Sequence, residues 1–555
     1  MKSCFKLENI VLAALFLAAG CLQVKYIFTE FNIDTEYAIA TSWRMLKGDA
    51  MFIDMWEPHQ TSAFLLTFIM NIYMRIFHDY AGIVLFINIA GVLIHTCITG
   101  ILYINLKDKM EPLLVKFICI LFWILHPKNY ITPEFSNMII WFSVLLLLSL
   151  FSYYNHPEKK SRLLLASLCL CLLILSYPSC LIVYLGVIAL LFAFSKEKYK
   201  DIFIFSVSCA VQGIIYVGYF VYKIGFSKFA ESINNIILGD SFHGTNRDIY
   251  GGLFKGIPDV LLWLGLCYLG GFILTKLMDK FRNNSSWAKG SAVCFLIFTV
   301  LVCVSDIFAS IFFIDRYNTF AFAIYFIIFT GYFRKGIFLL NHTEKVFVLS
   351  AYGISAATYL AVCMLTNLSL IFSSQYLILA IVISFIPAMK LMKERGFGRL
   401  AYVLFGLIVF LFLFKGFLSI REVETRIVFG PARGIYTDYT TMDKHQRNVA
   451  DWIKYVEDGD SVLIVAENSV NSIGYLLGNT KVSTHSTMCA PTYNEILLKY
   501  WETHPEKYPD VIAVECWQGE LKVDRDSWMM QWIESSYQPY SYQNGFYYRF
   551  YRLKD

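Results

Sequence analysis

Residues 34–77 read DTEYAIATSWRMLKGDAMFIDMWEPHQTSAFLLTFIMNIYMRIF, and how this stretch is placed decides the topology of the whole chain. It follows a first apolar run (8–28) and opens with spaced acids, Asp34 and Glu36, then Asp54 and Glu57. Its last part, 62–77, is apolar but only about 16 residues long, short of the roughly 20 that a spanning helix needs. Read as a surface-lying or re-entrant helix, it leaves residues 29–80 as one loop on a single side of a membrane.

The charges further along support that choice. With the N-terminus inside, the cytoplasmic connections are LKDK (106–109), NHPEKKSR (155–162), SKEKYK (195–200), KLMDKFRNNSSWAK (276–289), FRKG (333–336) and KLMKERGFGR (390–399), all rich in Lys or Arg. The opposite connections, HPKNYITPEF (126–135), YPS (177–179), the 224–256 loop, IDRYN (314–318) and TNLS (366–369), carry less net positive charge. This is the bias expected of cytoplasmic loops. Counting 62–77 as a span inverts every later loop and destroys the pattern. The expected spans are 8–28, 81–105, 112–126, 136–154, 161–176, 178–195, 201–223, 257–276, 290–314, 317–333, 345–366, 369–389 and 398–419. MKSCFKLENIVLAALFLAAGC at the N-terminus has the look of a signal peptide, but the apolar run continues through Val24 and Ile27, and it reads as an uncleaved first span.

Composition agrees. Of 555 residues 57% are hydrophobic and 16% charged, against about 25% charged in soluble domains. The 36 Tyr and 11 Trp suit many membrane interfaces. A net charge of +5 with no basic stripe gives no nucleic-acid surface. Fourteen Cys are scattered without a CxxC pair, most inside apolar runs, so no cysteine metal site is expected; Cys489 and Cys516, in the polar tail, are the two that have a chance to pair.

The expected fold is therefore mainly α: a polytopic membrane domain (1–420) of about thirteen transmembrane helices, with a small extracytoplasmic α/β C-terminal domain (421–555). In the tail, DKHQRNVADWIKYVEDG and TYNEILLKYWETHPEKYPD read as helices, SVLIVAE (461–467) and DVIAVECW (510–517) as strands, and YSYQNGFYYRFYRL as a hairpin about Asn544-Gly545. The expected location is the plasma (inner) membrane, multi-pass, N-terminus cytoplasmic and tail extracytoplasmic.

Within 34–77, Ile39, Trp43 and Leu46 recur at helical spacing, predicting a helix lying in the interface with Arg44 and Lys47 reaching headgroups. Asp34 stands where this helix begins, a position that suits a plain N-terminal carboxylate. Asp54 and Glu57 follow the Gly48-Asp49 turn; Pro58 breaks the chain, and His59 and Gln60 open the next helix. Read blandly, they are a solvated turn. Acids at a membrane surface between apolar segments have, more often, a task.

The order and spacing resemble the first external loop of the C-type (GT-C) superfamily of polyprenyl-phosphate-sugar-dependent glycosyltransferases. Asp34-Thr35-Glu36-Tyr37 stands for the Asp-Ser-Gly-x-Phe start, GDAMFID (48–54) for Gly-x-x-Pro-Tyr-x-Asp, and Trp56-Glu57-Pro58-His59-Gln60-Thr61 for the Asp-His-x-Gly-Pro-Leu that opens a helix. Glu36 in place of Gly and Thr61-Ser62 in place of Gly-Pro mark a distant branch. In layout, though less in motif, the chain is similar to protein O-mannosyltransferases and lipid A aminoarabinose transferases. The resemblance covers residues 1–420.

It implies an inverting transfer of a hexosyl or pentosyl group from a polyprenyl-phosphate donor to an extracytoplasmic glycan, lipid or protein acceptor of the cell envelope. Asp34 takes the base role and Asp54 a catalytic role in orienting the acceptor or holding a divalent cation (Mg or Mn). Glu36 is a second candidate base, and Glu57 and His59 are substrate contacts. Arg316 and Tyr317 in IFFIDRYNTF, at the external end of a span, resemble in part the Gly-Arg-x-Tyr/Phe-x-His-Tyr segment of relatives, whose flanking Gly and His are absent here, and would face the leaving phosphate; Asp315 beside them suits a mere interfacial anchor as well. Asp306, deeper in the same span, lines the donor cavity or pairs with a neighbouring hydroxyl. Glu134, after Pro133, is either an acceptor-side acid or the N-terminal carboxylate of a helix. His126 and Lys128 share its loop. The 224–256 loop, with Lys223, Lys228, His243 and Arg247, reads by its length as a lid. Two other classes stand beside the transferase: a transporter or flippase of lipid-linked saccharides, which calls for paired repeats and broken helices that are not seen, and a non-catalytic assembly protein.

Overall fold

A computed structural model describes residues 7–29, 33–127, 130–239, 336–364, 372–394, 398–419, 423–466, 473–487, 494–517, 520–540 and 545–554, together with 257, 258, 261, 269, 370 and 489. The expected spans 257–276, 290–314 and 317–333, and with them Asp306, Asp315, Arg316 and Tyr317, lie outside the described residues, as do Lys128, His243 and Arg247.

The apolar runs become helices close to their expected bounds: α1 (Leu7–Phe28), α4 (Ile83–Leu106), α5 (Pro112–Ile124), α6 (Phe135–Asn155), α7 (Ser161–Ser176), α8 (Leu181–Phe194), α9 (Lys198–Ile224), α11 (His342–Met364) and α14 (Gly398–Ser419). Between α1 and α4 stand α2 (Ile33–Leu46) and α3 (Phe64–Phe77); after α9 comes α10 (Phe226–Gly239). Among the described residues six helices are long and apolar enough to cross a membrane, and four shorter apolar helices accompany them. The run 369–389 is not one helix. It breaks into a 3₁₀ turn (Phe372–Leu377), α12 (Ile378–Ile383) and α13 (Phe385–Glu394), because Ser373, Ser374 and Gln375 interrupt its apolar face.

α3 behaves as its length demands. Leu66, Ile69, Met70 and Tyr73 form its buried stripe, while Phe68, Ile72, Ile76 and Phe77 are exposed on the other face. That exposed apolar face is what a helix against lipid presents.

α2 departs from expectation. Every residue from Tyr37 to Arg44 is buried. A helix lying in an interface leaves one face in the headgroups; this one is covered on all sides, between the membrane helices and the tail. Lys47 turns to the tail as well, its ammonium on Asn479 and over the Trp43 ring.

The tail opens on an antiparallel pair, β1 (Thr425–Arg426) and β2 (Tyr436–Thr437), and holds a mixed sheet in the order β4-β3-β5-β8-β7 (Lys481–Val482, Ser461–Val465, Val511–Trp517, Tyr548–Leu553, Tyr537–Pro539), with β6 (Glu520–Leu521) pairing β5 off that path. β3 runs parallel to β4 and β5; β8 is antiparallel to β5 and β7. β3 is buried throughout, as its unbroken apolar run requires of a strand covered on both faces. α15 (Tyr439–Tyr455), capped by Asp438 on the Thr441 amide, and α17 (Asn494–Thr503) pack beside it. Tyr537 pairs with Leu553, which centres the final hairpin on Gly545 at φ +75°, the conformation that a glycine supplies without strain. Cys489 and Cys516 are both unbridged.

The tail is not a separate bead. One core cluster joins Ile39, Trp43, Ile69, Ile83 and Ile87 to Ile427, Val449, Trp452 and Phe550. Backbone bonds add to it: Gly82 N–H to Gly430 O, Val84 N–H to Pro431 O, Trp56 N–H to His485 O.

Candidate active site and the buried anchor of the first loop

α2 starts at Ile33, so Asp34 sits in its first turn, half-buried. The next residue fixes where that turn goes. The Thr35 hydroxyl donates to Thr132 Oγ1 (3.3 Å), Thr132 donates to Asn88 Oδ1 (3.3 Å), and Asn88 Nδ2 reaches Ile27 O (3.3 Å). Three segments far apart in the chain thus hold the start of α2 against the loop that precedes α6.

Glu134 closes that loop. It is buried and caps α6, accepting from the Ser136 and Asn137 amides at 2.9 and 3.3 Å. The bland alternative foreseen for it is what the geometry displays, and it also places a carboxylate beside Asp34: both acids lie within electrostatic reach of the Tyr376 hydroxyl, which donates to Ser136 Oγ (3.0 Å). His59 borders the same point. Its ring stacks on Phe135 (4.9 Å) and Tyr177 (5.1 Å) and meets Tyr37 edge-on. Asp34, Glu134 and His59, predicted from separate motifs, therefore meet around the N-terminus of α6. Tyr376 completes the group and is missed in the sequence; the polar Ser-Ser-Gln-Tyr interruption of an apolar run is the signal that marks it.

Asp54 and Glu57 belong to a different cluster, centred on Arg44. Arg44 is 1% exposed. Its Nε lies 2.8 Å from Asp49 Oδ2 and its Nη1 3.3 Å from Glu57 Oε1; Nη2 donates to Asp54 O (2.7 Å) and Tyr500 Oη (3.3 Å). Burial works against this charge, yet Asp49, Tyr500 and Glu57 outweigh it and hold the guanidinium protonated. Glu57 is fully buried and also accepts from Ser486 Oγ (2.9 Å) and the Thr487 amide (2.5 Å). Its oxygens are committed to the tail, which leaves no room for the substrate contact expected of it. The Lys507 ammonium reaches Asp49 from the tail too. Asp54 accepts from the Ala50 amide (2.7 Å), closing its own turn, with its side chain half-buried. Burial, and secondarily the Arg44 charge, push the His485 imidazole down to about 3, so it is neutral here.

Glu36 is set apart from Asp34 by helix geometry. Two residues along an α-helix turn about 200°, so the two acids leave opposite sides of α2. Glu36 faces the tail near Lys444; its carboxyl is pushed up to about 8 by burial, with the Lys444 charge opposing, and Oε2 has no hydrogen-bond partner among the described residues. Because the folded pKa is raised, the native state is favoured below the ordinary carboxylate pKa and loses stability as pH climbs from about 4.5 toward 8. Glu36→Gln is therefore expected to melt like the wild type near pH 4.5 and to be more stable at pH 8.5, by on the order of 2–4 kcal/mol. Thermal melts of the two proteins across that range check it; a constant difference at all pH values removes Glu36 as the cause.

His126, a second-loop candidate, is buried instead against Tyr26 and His95, its Nε2 3.2 Å from Gln23 Nε2. Among the described residues no three His, Cys, Asp or Glu side chains converge as a metal site, and both Glu134 oxygens are held by helix amides.

No family model matches this sequence, and no curated protein matches it. Among solved structures the chain is similar to the oligosaccharyltransferase of Archaeoglobus fulgidus crystallised with zinc and sulfate (TM-score 0.49, 10% identity, covering 90% of this chain and 67% of that one). It is similar to the archaeal oligosaccharyltransferase AglB from Archaeoglobus fulgidus in complex with an inhibitory peptide and a dolichol-phosphate (TM-score 0.45, 12% identity, 92% and 70%). It is also similar to ArnT from Cupriavidus metallidurans in the apo state (TM-score 0.47, 10% identity, 98% and 97%). At TM-scores below 0.5 these likenesses decide nothing about activity, which is argued from the site alone.

Proposed function

We propose that the chain is an inverting membrane glycosyltransferase of the GT-C type, moving a sugar from a polyprenyl-phosphate donor to an acceptor outside the cytoplasm. The observation that carries this reading is the meeting of Asp34, Glu134, His59 and Tyr376 where α2 touches the start of α6. Two loops that the charge pattern assigns to one membrane face supply acids to one point.

In the proposed reaction an acceptor hydroxyl attacks the anomeric carbon. The carbon–oxygen bond to the acceptor forms, the bond to the phosphate oxygen breaks, and the hydroxyl proton passes to Asp34. A carboxylate within hydrogen-bond reach of that proton is the base such a step needs. The Tyr376 hydroxyl and the His59 ring border the group and orient the sugar. The negative charge that develops on the departing phosphate calls for a cation; Arg316, with Tyr317 beside it, is proposed for that role. Asp54 is proposed to orient the acceptor from the rim of the first loop. The N-terminus is placed in the cytoplasm, the tail outside, and the protein in the plasma (inner) membrane.

The test is chemical. Membranes holding the wild-type protein, given a panel of labelled polyprenyl-phosphate sugars, are expected to release label from at least one. If label stays on every lipid, the transporter or assembly reading takes its place. Orientation has its own check: tags after Pro178 and at the C-terminus should react with an impermeant reagent added outside, and a tag after Glu197 should not. The reverse pattern puts the acids in the cytosol and removes this mechanism.

A further inference from the structure

The stretch expected to be a long lid is, in its first half, a helix. α10 (Phe226–Gly239) lies against the first loop and α17, and an open cavity of about 380 Å³ lies between the three. Phe52 and Trp56 line it from the first loop, Lys223 from the end of α9, Lys228 and Asn235 from α10, and His504 from the tail.

The wall is tightly built. Phe52 has φ +61°, a left-handed conformation costly for an aromatic residue. It is kept there because its carbonyl accepts from Ser232 Oγ (2.6 Å), its amide donates to Gln60 Oε1 (2.9 Å), and its ring packs on Phe220 (4.9 Å) and Phe229 (5.2 Å). Trp56 meets the Tyr500 and His504 rings edge-on. Strain of this kind persists where surrounding structure holds a surface in a particular shape.

The charge is one-sided. Glu231, the one acid of the lining among the described residues, is paired with Lys499 (2.9 Å), which also donates to Asn235 Oδ1 (2.9 Å). Lys223 and Lys228 make no ion pair among the described residues. Lys228 stands in the first turn of α10, where the helix dipole opposes a cation unless an anion is near. Two ammonium groups without a carboxylate partner among the described residues, that of Lys223 lying over the Tyr219 ring at 5.9 Å, beside an aromatic and amide floor match a sugar that carries phosphate: the rings and Asn235 take the sugar, the lysines the charge.

We propose that this cavity binds the acceptor through a phosphate-bearing saccharide. The proposal rests on the transferase reading only in calling that ligand the acceptor; the cavity also shares its loop with Asp54, between Ile53 and Trp56.

The experiment uses the full chain in phosphatidylcholine nanodiscs, with mannopentaose monophosphate as the probe and the same oligosaccharide after phosphatase treatment as the control. Wild type should bind the phosphorylated probe at least about tenfold more tightly than K223A/K228A, the loss expected when charge-assisted contacts are removed. K223R/K228R should retain binding, since charge rather than fold is at stake, and the control should bind weakly to all three. Equal affinity of wild type and K223A/K228A, or equal binding of the two probes, overturns the proposal. So does loss of probe binding when phosphatidylglycerol replaces phosphatidylcholine, because the lysines then serve a lipid headgroup. Binding needs no turnover, so tight, lysine-dependent binding by a protein that releases no label from any donor upholds the cavity and removes the transferase reading alone.

Discussion

Asp34→Asn is expected to lower sugar transfer by about 10²–10⁴-fold, the usual contribution of a positioned general base. The substitution is chosen so that little else changes. Asp34 is half-buried in the first turn of α2, and asparagine there serves a helix start almost as well as aspartate. The turn itself is held by its neighbour Thr35 through Thr132 and Asn88, none of which is touched. The variant should therefore fold, keep its tail docked and bind donor, while label stops leaving the polyprenyl phosphate. Equal turnover by the two proteins removes Asp34 as the base. Glu36 cannot take over the role from its own position, since it leaves the opposite side of α2; Asp34→Asn/Glu36→Gln should be no slower than Asp34→Asn.

The second large effect is on stability. Arg44→Ala is expected to cost about 3–5 kcal/mol, because removing one partner of a buried ion pair strands the others. Here it strands Glu57, which is fully buried and has no other counter-charge among the described residues, and leaves the nearly buried Asp49 with Lys507 alone. The cost of an unpaired buried carboxylate, rather than the strength of the bridge, sets the size of the loss. Glu57 holds Ser486 and Thr487 of the tail, and Arg44 itself donates to His485 O (3.2 Å) and Tyr500 Oη. The tail should loosen first and become open to protease before the membrane helices melt. Arg44→Lys keeps the charge but not the planar fork that reaches five groups at once, and should fall between the two. A melt of Arg44→Ala that matches the wild type means that the network contributes nothing to docking.

These two residues show what could be read in the chain and what could not. The place of Asp34 at the start of a helix was legible from the apolar run before it and the helical stripe after it. Arg44 was misread as a headgroup contact. Its surroundings in sequence, Trp43, Met45 and Lys47, are those of an interfacial helix; its partners Glu57 and Tyr500 come from a turn and from the tail. Glu57 was misread for the same reason, since the hydroxyl it accepts from belongs to Ser486, 429 residues away. The hairpin at Gly545, by contrast, was correctly centred, because a turn is written in adjacent residues.

The sequence by itself determined that the chain is a largely helical membrane protein, the bounds of most of its described apolar helices, the short α3 and the two central strands of the tail. Each of these follows from local composition and period: the length of an apolar run against the thickness of a bilayer, or the alternation of a strand. Only the tertiary structure decided that Asp34, Glu134, His59 and Tyr376 share one point, that α2 is enclosed rather than floating, and that α10 roofs a cationic cavity against the tail. Those facts depend on which distant segments are brought together, and a hydrogen bond or ion pair between residues hundreds of positions apart leaves no periodic trace in either of the stretches that form it.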